Sequence, residues 1–345
     1  MKETKPLIGL TLEGLRQVAA QCGMPKFAAG QMARWLYEKR VTAIEEMTDL
    51  SKGARQRLAQ EGYIIGREAP LGEARSSDGT VKYLFRGAGG HDVESVYIPD
   101  KERATLCVSS QAGCKMNCSF CMTGRQGFHG SLTAAQIINQ TLSIPESASL
   151  TNIVFMGMGE PLDNLPALLD AIEIMTAKWG FAWSPKRITV SSIGKLRELK
   201  RLLDETKVHV AISIHSPYPS ERAGMMPVER AYPIMEVLAL LRDYDFSHQR
   251  RLSFEYTMFR GVNDTPRHSH ELARRLKGLD CRVNLIRFHE IPGSELNPAS
   301  PEHMERFRDA LNAEGITATI RASRGEDIMA ACGMLAGKEN KNAQS

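Results

Sequence analysis

Short helical patterns fill the first sixty residues of the chain. Apolar residues recur at spacings of three and four in the segments LEGLRQVAAQ, AAGQMARWLYEKR and GARQRLAQEG. This is the spacing of helices that bury one face. Trp35, Leu36 and Tyr37 lie in the second segment, and we expect them to form the core of a small bundle. The pattern predicts a helical accessory domain over residues 1–65.

Two runs of alternating apolar and polar residues follow, at residues 80–85 and 93–98. Gly87, Gly89 and Gly90 lie between them. Alternation on both sides of a glycine-rich turn is typical of a β-hairpin. We therefore assign residues 66–102 to a hairpin linker between two domains.

From residue 103 onward, strand-like and helix-like segments alternate. Six strand–helix pairs and a closing strand predict an α/β fold, a parallel sheet curled into a partial (β/α)6 barrel over residues 103–336. Functional side chains should lie at the carboxyl ends of its strands. The tail, residues 337–345, has no apolar pattern and is predicted to be disordered. The alternating segments are TLCVSS, TAAQIINQTL, NIVFMG, ALLDAIEIM, RITVSS, LRELKRLL, VHVAISIH, PIMEVLALL, RLSFEYTMF, HELARRL, VNLIRF, EHMERFRDAL and ITATIRA.

Composition narrows the class of protein. The 345 residues are 42% hydrophobic and 24% charged, as in an ordinary globular protein. No run of 18 apolar residues occurs, and MKETKPLIGL lacks the apolar core of a secretion signal, so we expect neither a membrane segment nor export. Seven cysteines without a regular framework suit the reducing cytoplasm. A net charge of +4 does not by itself indicate nucleic-acid binding.

Three cysteines, Cys114, Cys118 and Cys121, follow the first strand of the predicted barrel in the run GCKMNCSFC. Three thiolates holding a cubane iron–sulfur cluster leave one iron open for another ligand. The CxxxCxxC spacing resembles that of the radical S-adenosylmethionine (SAM) enzymes, whose open iron chelates SAM. A Cys3His zinc site completed by His129 is the alternative, but zinc ligands usually come as two close pairs and no second pair follows.

Polar residues end the next strands of the predicted barrel. Gly157, Gly159 and Glu160 follow the second strand in MGMGEPL, where the glycines would let the backbone approach a ligand and Glu160 could accept from an amine. Ser191 ends the third strand. Ser213, Ile214 and His215 end the fourth. Together these residues could hold the ribose and carboxylate of SAM.

Seven strings carry a more specific resemblance. They occur in one order between about residue 93 and residue 335. The chain resembles the RlmN/Cfr family of radical SAM RNA adenine methyltransferases, whose barrel follows a helical, RNA-binding domain. The strings are TLCVSSQAGCKMNCSFC, FMGMGEPLDN, SPKRITVSSIG, ISIHSP, GVND, VNLIRF and RASRGEDIMAACGML.

The resemblance implies a substrate, a cofactor set and three catalytic residues. The target is carbon 2 of adenine 2503 in the peptidyl-transferase centre of 23S rRNA, and of adenine 37 in tRNA. Two SAM molecules are used per turnover, together with a 4Fe-4S cluster. Cys332 would first carry the methyl group, Cys107 would then release the product by forming a transient disulfide, and Glu94 would accept the carbon-2 proton.

Some features leave alternatives open. This chain reads VNLIRFHEIPG where many members read VNLIPWNP, which puts His289 at a position assigned to SAM contact. ISIHSPYPSER leans toward Cfr, which modifies carbon 8 of the same rRNA adenine, whereas GMGEP favours carbon 2. Without the resemblance, Glu94 would be an exposed hairpin residue and Cys107 and Cys332 buried apolar thiols.

Two hypotheses from other classes also remain. One is a zinc-stabilised RNA-binding module, and the other is a radical SAM enzyme for a small metabolite. For the methyltransferase we expect a monomer that receives electrons from a donor such as flavodoxin or ferredoxin.

Overall fold

The computed structural model describes residues 4–248 and 250–337, so the predicted disorder of residues 338–345 lies outside it. Its first part is helical, as predicted. The second predicted helix, residues 28–40, is an α-helix only to Ala33 and continues as a wider π-helical turn, Arg34–Glu38. A short parallel pair of strands joins the two ends of this region. The elements are β1 (Lys5–Pro6), α1 (Leu12–Gln21), α2 (Ala28–Ala33), α3 (Lys52–Gln60) and β2 (Tyr63–Ile64).

The N-terminal helices pack on the rest of the protein around Tyr37. This side chain is buried, and its hydroxyl donates to the Leu10 carbonyl at 2.6 Å. Its ring contacts Trp179, with centroids 5.9 Å apart. Arg40 donates to Ser147 at 2.9 Å. Trp35 packs at the edge of the same core, so the aromatic segment acts structurally, as its helical spacing predicts.

A ten-stranded sheet forms the main body of the protein, in the order β14-β13-β12-β11-β10-β9-β6-β5-β4-β3. The last three strands in that order are antiparallel, which confirms the predicted hairpin, and the other seven are parallel. The strands of this sheet are β3 (Gly72–Arg75), β4 (Val81–Phe85), β5 (Val93–Asp100), β6 (Arg103–Cys107), β9 (Asn152–Phe155), β10 (Ile188–Ser192), β11 (His209–Ser213), β12 (Leu252–Met258), β13 (Cys281–Arg287) and β14 (Thr317–Ile320).

The predicted strand–helix alternation is confirmed for all seven parallel strands. In this part of the chain the short helices α4 (Met122–Arg125) and α8 (Pro219–Met225) were not predicted, nor was a small hairpin, β7 (Gln111–Gly113) and β8 (Phe128–Ser131), that brackets the cysteine loop and α4. The short strands β1, β2 and β3 were not predicted either. No helix in the two described ranges is long and apolar enough to cross a bilayer. The remaining elements are β7 (Gln111–Gly113), α4 (Met122–Arg125), β8 (Phe128–Ser131), α5 (Ala134–Leu142), α6 (Leu165–Thr176), α7 (Leu196–Glu205), α8 (Pro219–Met225), α9 (Ile234–Leu241), α10 (Pro266–Leu276) and α11 (Pro301–Ala313).

The two faces of the parallel strands differ in polarity. On β12, Phe254 and Tyr256 belong to the apolar core, where the Tyr256 ring contacts Phe307 of α11 at 5.1 Å. The alternate residues Ser253, Glu255 and Thr257 line cavities on the other face. Because successive side chains of a strand point to opposite faces, the sheet curls around a polar lumen and packs its helices outside.

Candidate active site

The cysteine loop lies at the carboxyl end of β6, between β7 and β8. The Cys114 amide donates to the Gly127 carbonyl at 2.8 Å, and the Cys121 amide donates to the Cys118 carbonyl at 3.2 Å. Cys114 and Cys118 are buried and Cys121 is half-buried. All three line one cavity of ≈ 190 Å³. The structure therefore brings the three predicted cluster ligands to a single space.

The electrostatics of this loop favour a bound cation. Burial raises the pKa of Cys114 to about 12, and it also raises the pKa of Cys118 and Cys121, helped in each case by a neighbouring thiol. Three thiolates here would need a compensating positive charge, which the irons of a cluster supply. The donor set of soft thiolates with one missing ligand fits a 4Fe-4S cluster that also binds SAM.

The zinc alternative finds less support. No group of three His, Cys, Asp or Glu side chains within the described ranges is arranged to hold one metal ion. A cubane binds each thiolate to a different iron and so tolerates wider spacing than one tetrahedral ion does. His129, the expected fourth zinc ligand, does not line the cavity and stacks on His91, with ring centroids 3.5 Å apart.

The glycine-rich loop after β9 closes against the loop after β6. A Cβ atom on Gly157 would lie 2.6 Å from the Val108 carbonyl oxygen, and one on Gly159, whose φ is +95°, would lie 2.5 Å from the Gln111 Cβ. We expected these glycines to admit a ligand. The structure shows that they admit a neighbouring segment of the protein, a contact that fixes the residue that follows, and that both glycines also line the cavity with the three cysteines. Their approach to a ligand stays a prediction.

That residue, Glu160, is buried and lines the cavity with the three cysteines. Its carboxylate accepts the amides of Leu162 and Ile193, each at 3.1 Å, and its own amide donates to Gln111 at 2.9 Å. Burial nevertheless raises the pKa of Glu160 to about 7. A ligand ammonium group would compensate this buried carboxylate.

Ser191, Ser213 and His215 line the same cavity at the ends of β10 and β11. The Nδ1 atom of His215 accepts the Thr257 amide at 2.9 Å, and burial lowers the pKa of His215 to about 3. The ring is therefore neutral and carries its proton on Nε2, as a hydrogen-bond donor. Ile214 is buried and contributes backbone, its amide donating to the Glu255 carbonyl at 3.1 Å.

Sequence reasoning missed Arg222, which is fully buried behind this row of strand ends. Its guanidinium donates to the carbonyls of Ile193 at 3.1 Å and Ser213 at 3.0 Å, and it pairs with Glu229. These bonds fix the ends of β10 and β11 beside the cavity. The signal that could have revealed Arg222 is its position six residues after Ser216, the last residue of the polar string ISIHS.

The Cys332 loop covers the cavity from the C-terminal end of the chain. The Met122 amide of α4 donates to the Gly333 carbonyl at 2.8 Å, and the Thr123 hydroxyl donates to the Leu335 carbonyl at 2.6 Å. A Cβ atom on Gly333, whose φ is +85°, would lie 3.2 Å from the Phe120 carbonyl oxygen. The helix after the cluster cysteines thus anchors the Cys332 loop directly.

Cys107 and Cys332 meet at this cavity although they lie far apart in sequence. Cys332 is exposed and Cys107 is buried. Burial raises the pKa of Cys107 to about 12, with a further contribution from the neighbouring Cys332. The guanidinium of Arg321, which the sequence did not single out, lies near both thiols and 4.0 Å from Glu255. Proximity to Cys332 is the main cause that raises the pKa of Arg321.

The two remaining predicted residues lie outside this cavity. Glu94 is buried rather than exposed on its hairpin, and it pairs with Lys82 at 3.0 Å. Its carboxylate also accepts the Ala336 amide at 2.9 Å, so it contacts the segment that follows Cys332. His289 faces a second, larger cavity and contacts Ser323 at 3.1 Å. Its side chain does not line the space that holds the other predicted SAM contacts.

Comparisons with known proteins identify the family. The radical SAM superfamily matches residues 108–273, and the N-terminal domain of ribosomal RNA large subunit methyltransferases matches residues 5–64. A probable dual-specificity RNA methyltransferase RlmN from Bacteroides fragilis is 60% identical over 330 residues, which is 96% of each chain. The chain belongs to the RlmN family of radical SAM RNA methyltransferases.

Other members of the RlmN family match over similar lengths. A probable RlmN from Parabacteroides distasonis is 56% identical over 99% of each chain, and an RlmN from Alkalilimnicola ehrlichii is 41% identical over 96% of this chain and 94% of its own. The crystal structure of a radical SAM methyltransferase from Sphaerobacter thermophilus superposes with a TM-score of 0.88, at 39% identity, over 96% of this chain and 98% of that one. The predicted family, fold class and enzyme class are confirmed.

Membership of the RlmN family defines the cofactors in general terms. Radical SAM enzymes use SAM and a 4Fe-4S cluster, and the cysteine loop described above has the ligands and the electrostatics for that cluster. RNA is the substrate class of the family.

Proposed function

We propose that this protein methylates carbon 2 of an adenine in RNA through a methyl group carried on Cys332. The proposed substrates are the adenine of the peptidyl-transferase centre in 23S rRNA and the adenine beside the tRNA anticodon. Each turnover would use two SAM molecules and leave a transient disulfide between Cys332 and Cys107. The relatives described as dual-specificity RNA methyltransferases support this choice of substrates.

One observation carries the proposal. Cys332 and Cys107 line the same cavity as Cys114, Cys118 and Cys121. A radical SAM enzyme for a small metabolite needs the three cluster cysteines but has no use for two further thiols at the same place. A staged methyl transfer needs both of them, one to carry the carbon and one to release it.

The residues around the cavity are suited to hold SAM. Glu160 offers a buried carboxylate to an ammonium group, and His215 offers its Nε2–H to a hydroxyl or carboxylate oxygen. Ser191 and Ser213 add hydroxyl groups at neighbouring strand ends. When bound at this site, the cluster and SAM supply the methyl group and, by reductive cleavage, a carbon radical that can remove hydrogen from it.

Cys332 has the exposure that a methyl acceptor requires. Its sulfur would attack the SAM methyl group as a thiolate beside the guanidinium of Arg321. The methylene group left on Cys332 after hydrogen removal then forms a bond to carbon 2 of adenine. An aromatic amidine carbon has no lone pair with which to attack SAM directly, so this indirect route is needed.

Cys107 would complete the reaction by attacking the sulfur of Cys332. A sulfur–sulfur bond forms, the sulfur–carbon bond to the base breaks, and the released carbon takes a proton to become the methyl group. The adenine must also give up its carbon-2 proton and one electron, which the cluster oxidised by SAM cleavage would accept, and an external reductant would reopen the disulfide. We assign the proton to Glu94. Its carboxylate contacts the segment after Cys332, and movement of that segment would open the carboxylate to the base.

Other parts of the proposal rest on the sequence and on the resemblance. They are the use of flavodoxin or ferredoxin as electron donor, a monomeric state, a cytoplasmic location and the domain bounds 1–65, 66–102 and 103–336. His289 remains a proposed SAM contact through its backbone.

The decisive experiment uses Cys107→Ala purified from cells. If Cys107 acts only after the carbon has joined the base, this variant stalls as a covalent adduct between Cys332 and RNA. Denaturing gels should show retarded bands that disappear with RNase. Cys281→Ala is the matched control, because Cys281 is also a buried free thiol but lines neither cavity. Clean Cys107→Ala protein that yields normal product RNA would contradict the assignment.

Mass analysis of the RNA product separates the two possible target atoms. Methylation at carbon 2 supports the proposal, and methylation at carbon 8 would place the protein with Cfr. The same measurement on isolated tRNA tests the second substrate.

A further inference from the structure

The larger of the two cavities, ≈ 830 Å³, occupies the lumen of the barrel and reaches Cys332. It shares Met156, Glu255, Arg321 and the Cys332 loop with the smaller cavity described above. The smaller cavity lies at the carboxyl ends of the strands. The larger one continues down the lumen to their amino ends, where a second opening of the barrel lies.

Arginines surround that second opening. Arg103 is the first residue of β6, Arg251 immediately precedes β12, and Arg282 is the second residue of β13. Each stands on the strand face that carries the inward residues Thr105, Ser253 or Asn284, since side chains two positions apart share a face. Together with Lys186 and His209, these three arginines form what we call the basic mouth.

The positive charge of the basic mouth exceeds the negative charge beside it. The side chains of Arg103, Lys186, Arg251 and Arg282 are exposed, and within the described ranges no carboxylate forms an ion pair with them. The whole cavity is lined by seven Lys and Arg side chains against three carboxylates, Asp100, Glu255 and Asp280. Asp100 contacts Arg324 at 3.6 Å and also lies opposite Arg103 in the β5–β6 pair, Asp280 lies two residues before Arg282, and Glu255 lies near Arg321. Two carboxylates therefore lie beside the four cationic side chains of the mouth, which leaves positive charge in excess.

The pKa of His209 reflects the positive potential of the basic mouth. Its Nδ1 atom accepts the Arg251 amide at 2.8 Å, which leaves the proton on Nε2. Burial and, after it, the positive charges of Arg251, Lys186, Arg103 and Arg250 together lower the pKa of His209 to about 4. A site in which every neighbouring charge disfavours a further cation is a site suited to an anion.

We propose that the basic mouth binds the phosphodiester backbone of the RNA substrate beside the target adenine, so that RNA reaches Cys332 through the barrel from the end opposite the SAM site. This inference rests on the proposed RNA methyltransferase function and specifies how the substrate enters. It assigns Arg103, Arg251 and Arg282 to RNA binding.

The shape of the site favours RNA over an acidic protein. A protein surface cannot enter a lumen of this size, whereas single nucleotides splayed from a loop can. Four residue steps along β6 lead from Arg103 to Cys107, about 13 Å at the rise of a strand. Phosphate contacts at the mouth and chemistry at the thiols can therefore involve one short stretch of RNA. Arginine forks also suit phosphate oxygens.

The test compares Arg251→Gln/Arg282→Gln with Arg306→Gln, in which an exposed arginine of α11 that lines neither cavity is neutralised. The probe is a 23S rRNA fragment containing the target adenine, and binding is measured at several salt concentrations. Each lost phosphate contact lowers the slope of log affinity against log salt by about 0.7 for single-stranded RNA, so the double variant should lose about 1.4. A rise from about 50 to about 200 mM salt should then weaken wild-type binding about sevenfold more than binding by the double variant.

A second measurement separates this inference from the proposed function. S-methylation of Cys332 needs SAM and the cluster but no RNA, so the double variant should retain it while methylating RNA poorly. Unmethylated Cys332 in the wild-type protein would contradict the proposed function itself. Two results would overturn the assignment of the basic mouth to RNA. In one, the double variant carries methylated Cys332 and binds and methylates RNA like the wild type. In the other, it binds RNA normally and is impaired only in reduction of its cluster by the electron donor.

Discussion

Glu160 should make the stability of the cluster-free protein depend on pH in a way that Glu160→Gln removes. Burial raises the pKa of Glu160 to about 7 although its carboxylate accepts two backbone amides. In the unfolded chain the same group has its ordinary value of 4.5. Between these two values the folded protein holds a proton that the unfolded chain has lost.

The sign and size of the effect follow from that difference. Stability contributed by the protonated Glu160 is fully present below pH 4.5 and is lost as the pH rises through 7. The whole difference corresponds to about 3.4 kcal/mol, of which about 2.5 kcal/mol falls between pH 5 and pH 8.5. His215 acts in the opposite direction, because burial lowers its pKa to about 3 and stability is then lost as the pH falls below 6.5.

The quantity to measure is therefore the difference in unfolding free energy between the wild type and Glu160→Gln. Urea unfolding of wild type and Glu160→Gln across this pH range cancels the contribution of His215 and leaves that of Glu160. The wild type should lose about 2.5 kcal/mol relative to the variant as the pH rises from 5 to 8.5. Glu236→Gln, which removes an exposed carboxylate of α9, is the control. A difference that does not change with pH would refute the reasoning.

Two further predictions concern the cysteines. Cys114→Ala, Cys118→Ala and Cys121→Ala should each abolish the brown colour and the bound iron of anaerobically purified protein, because three thiolates are the fewest that hold the cubane; iron content unchanged in all three would contradict the cluster. Peptide mapping of protein made with an intact cluster should find the S-methyl group on Cys332. A methyl group on Cys107 instead would show that the two roles are reversed.

The architecture could be predicted because the parallel strands and outer helices carry strong local patterns. α1, predicted as LEGLRQVAAQ, has those bounds in the structure. β3 was missed because its sequence, GEAR, is short and largely exposed, and it forms a strand only because β4 offers a partner. β7 and β8 are of three and four residues and likewise depend on each other. Pairing partners distant in sequence leave no local pattern to recognise.

The candidate site likewise contains residues that a local sequence pattern reveals and residues that it does not. Cys114, Cys118 and Cys121 lie within eight residues, so their spacing indicates their chemistry directly. Glu94 looks like an exposed hairpin residue, and it is buried only because residues 336–337 return from the far end of the chain to donate to its carboxylate. Arg321 could not be singled out for a similar reason, since its neighbours Cys107 and Glu255 come from other strands.

The polar lumen shows where a stronger prediction was possible. In β12, LSFEYTM, the alternation of Phe254 and Tyr256 with Ser253, Glu255 and Thr257 is what a half-exposed strand would show, yet every residue of this strand is buried. A complete eight-stranded barrel fills its interior with branched apolar side chains, so polar inward residues on a central strand imply a space meant for something else. Here that space connects Cys332 at one end to the basic mouth at the other. The polar face of a central strand therefore predicts a substrate passage, and its direction follows from the charges at the two ends.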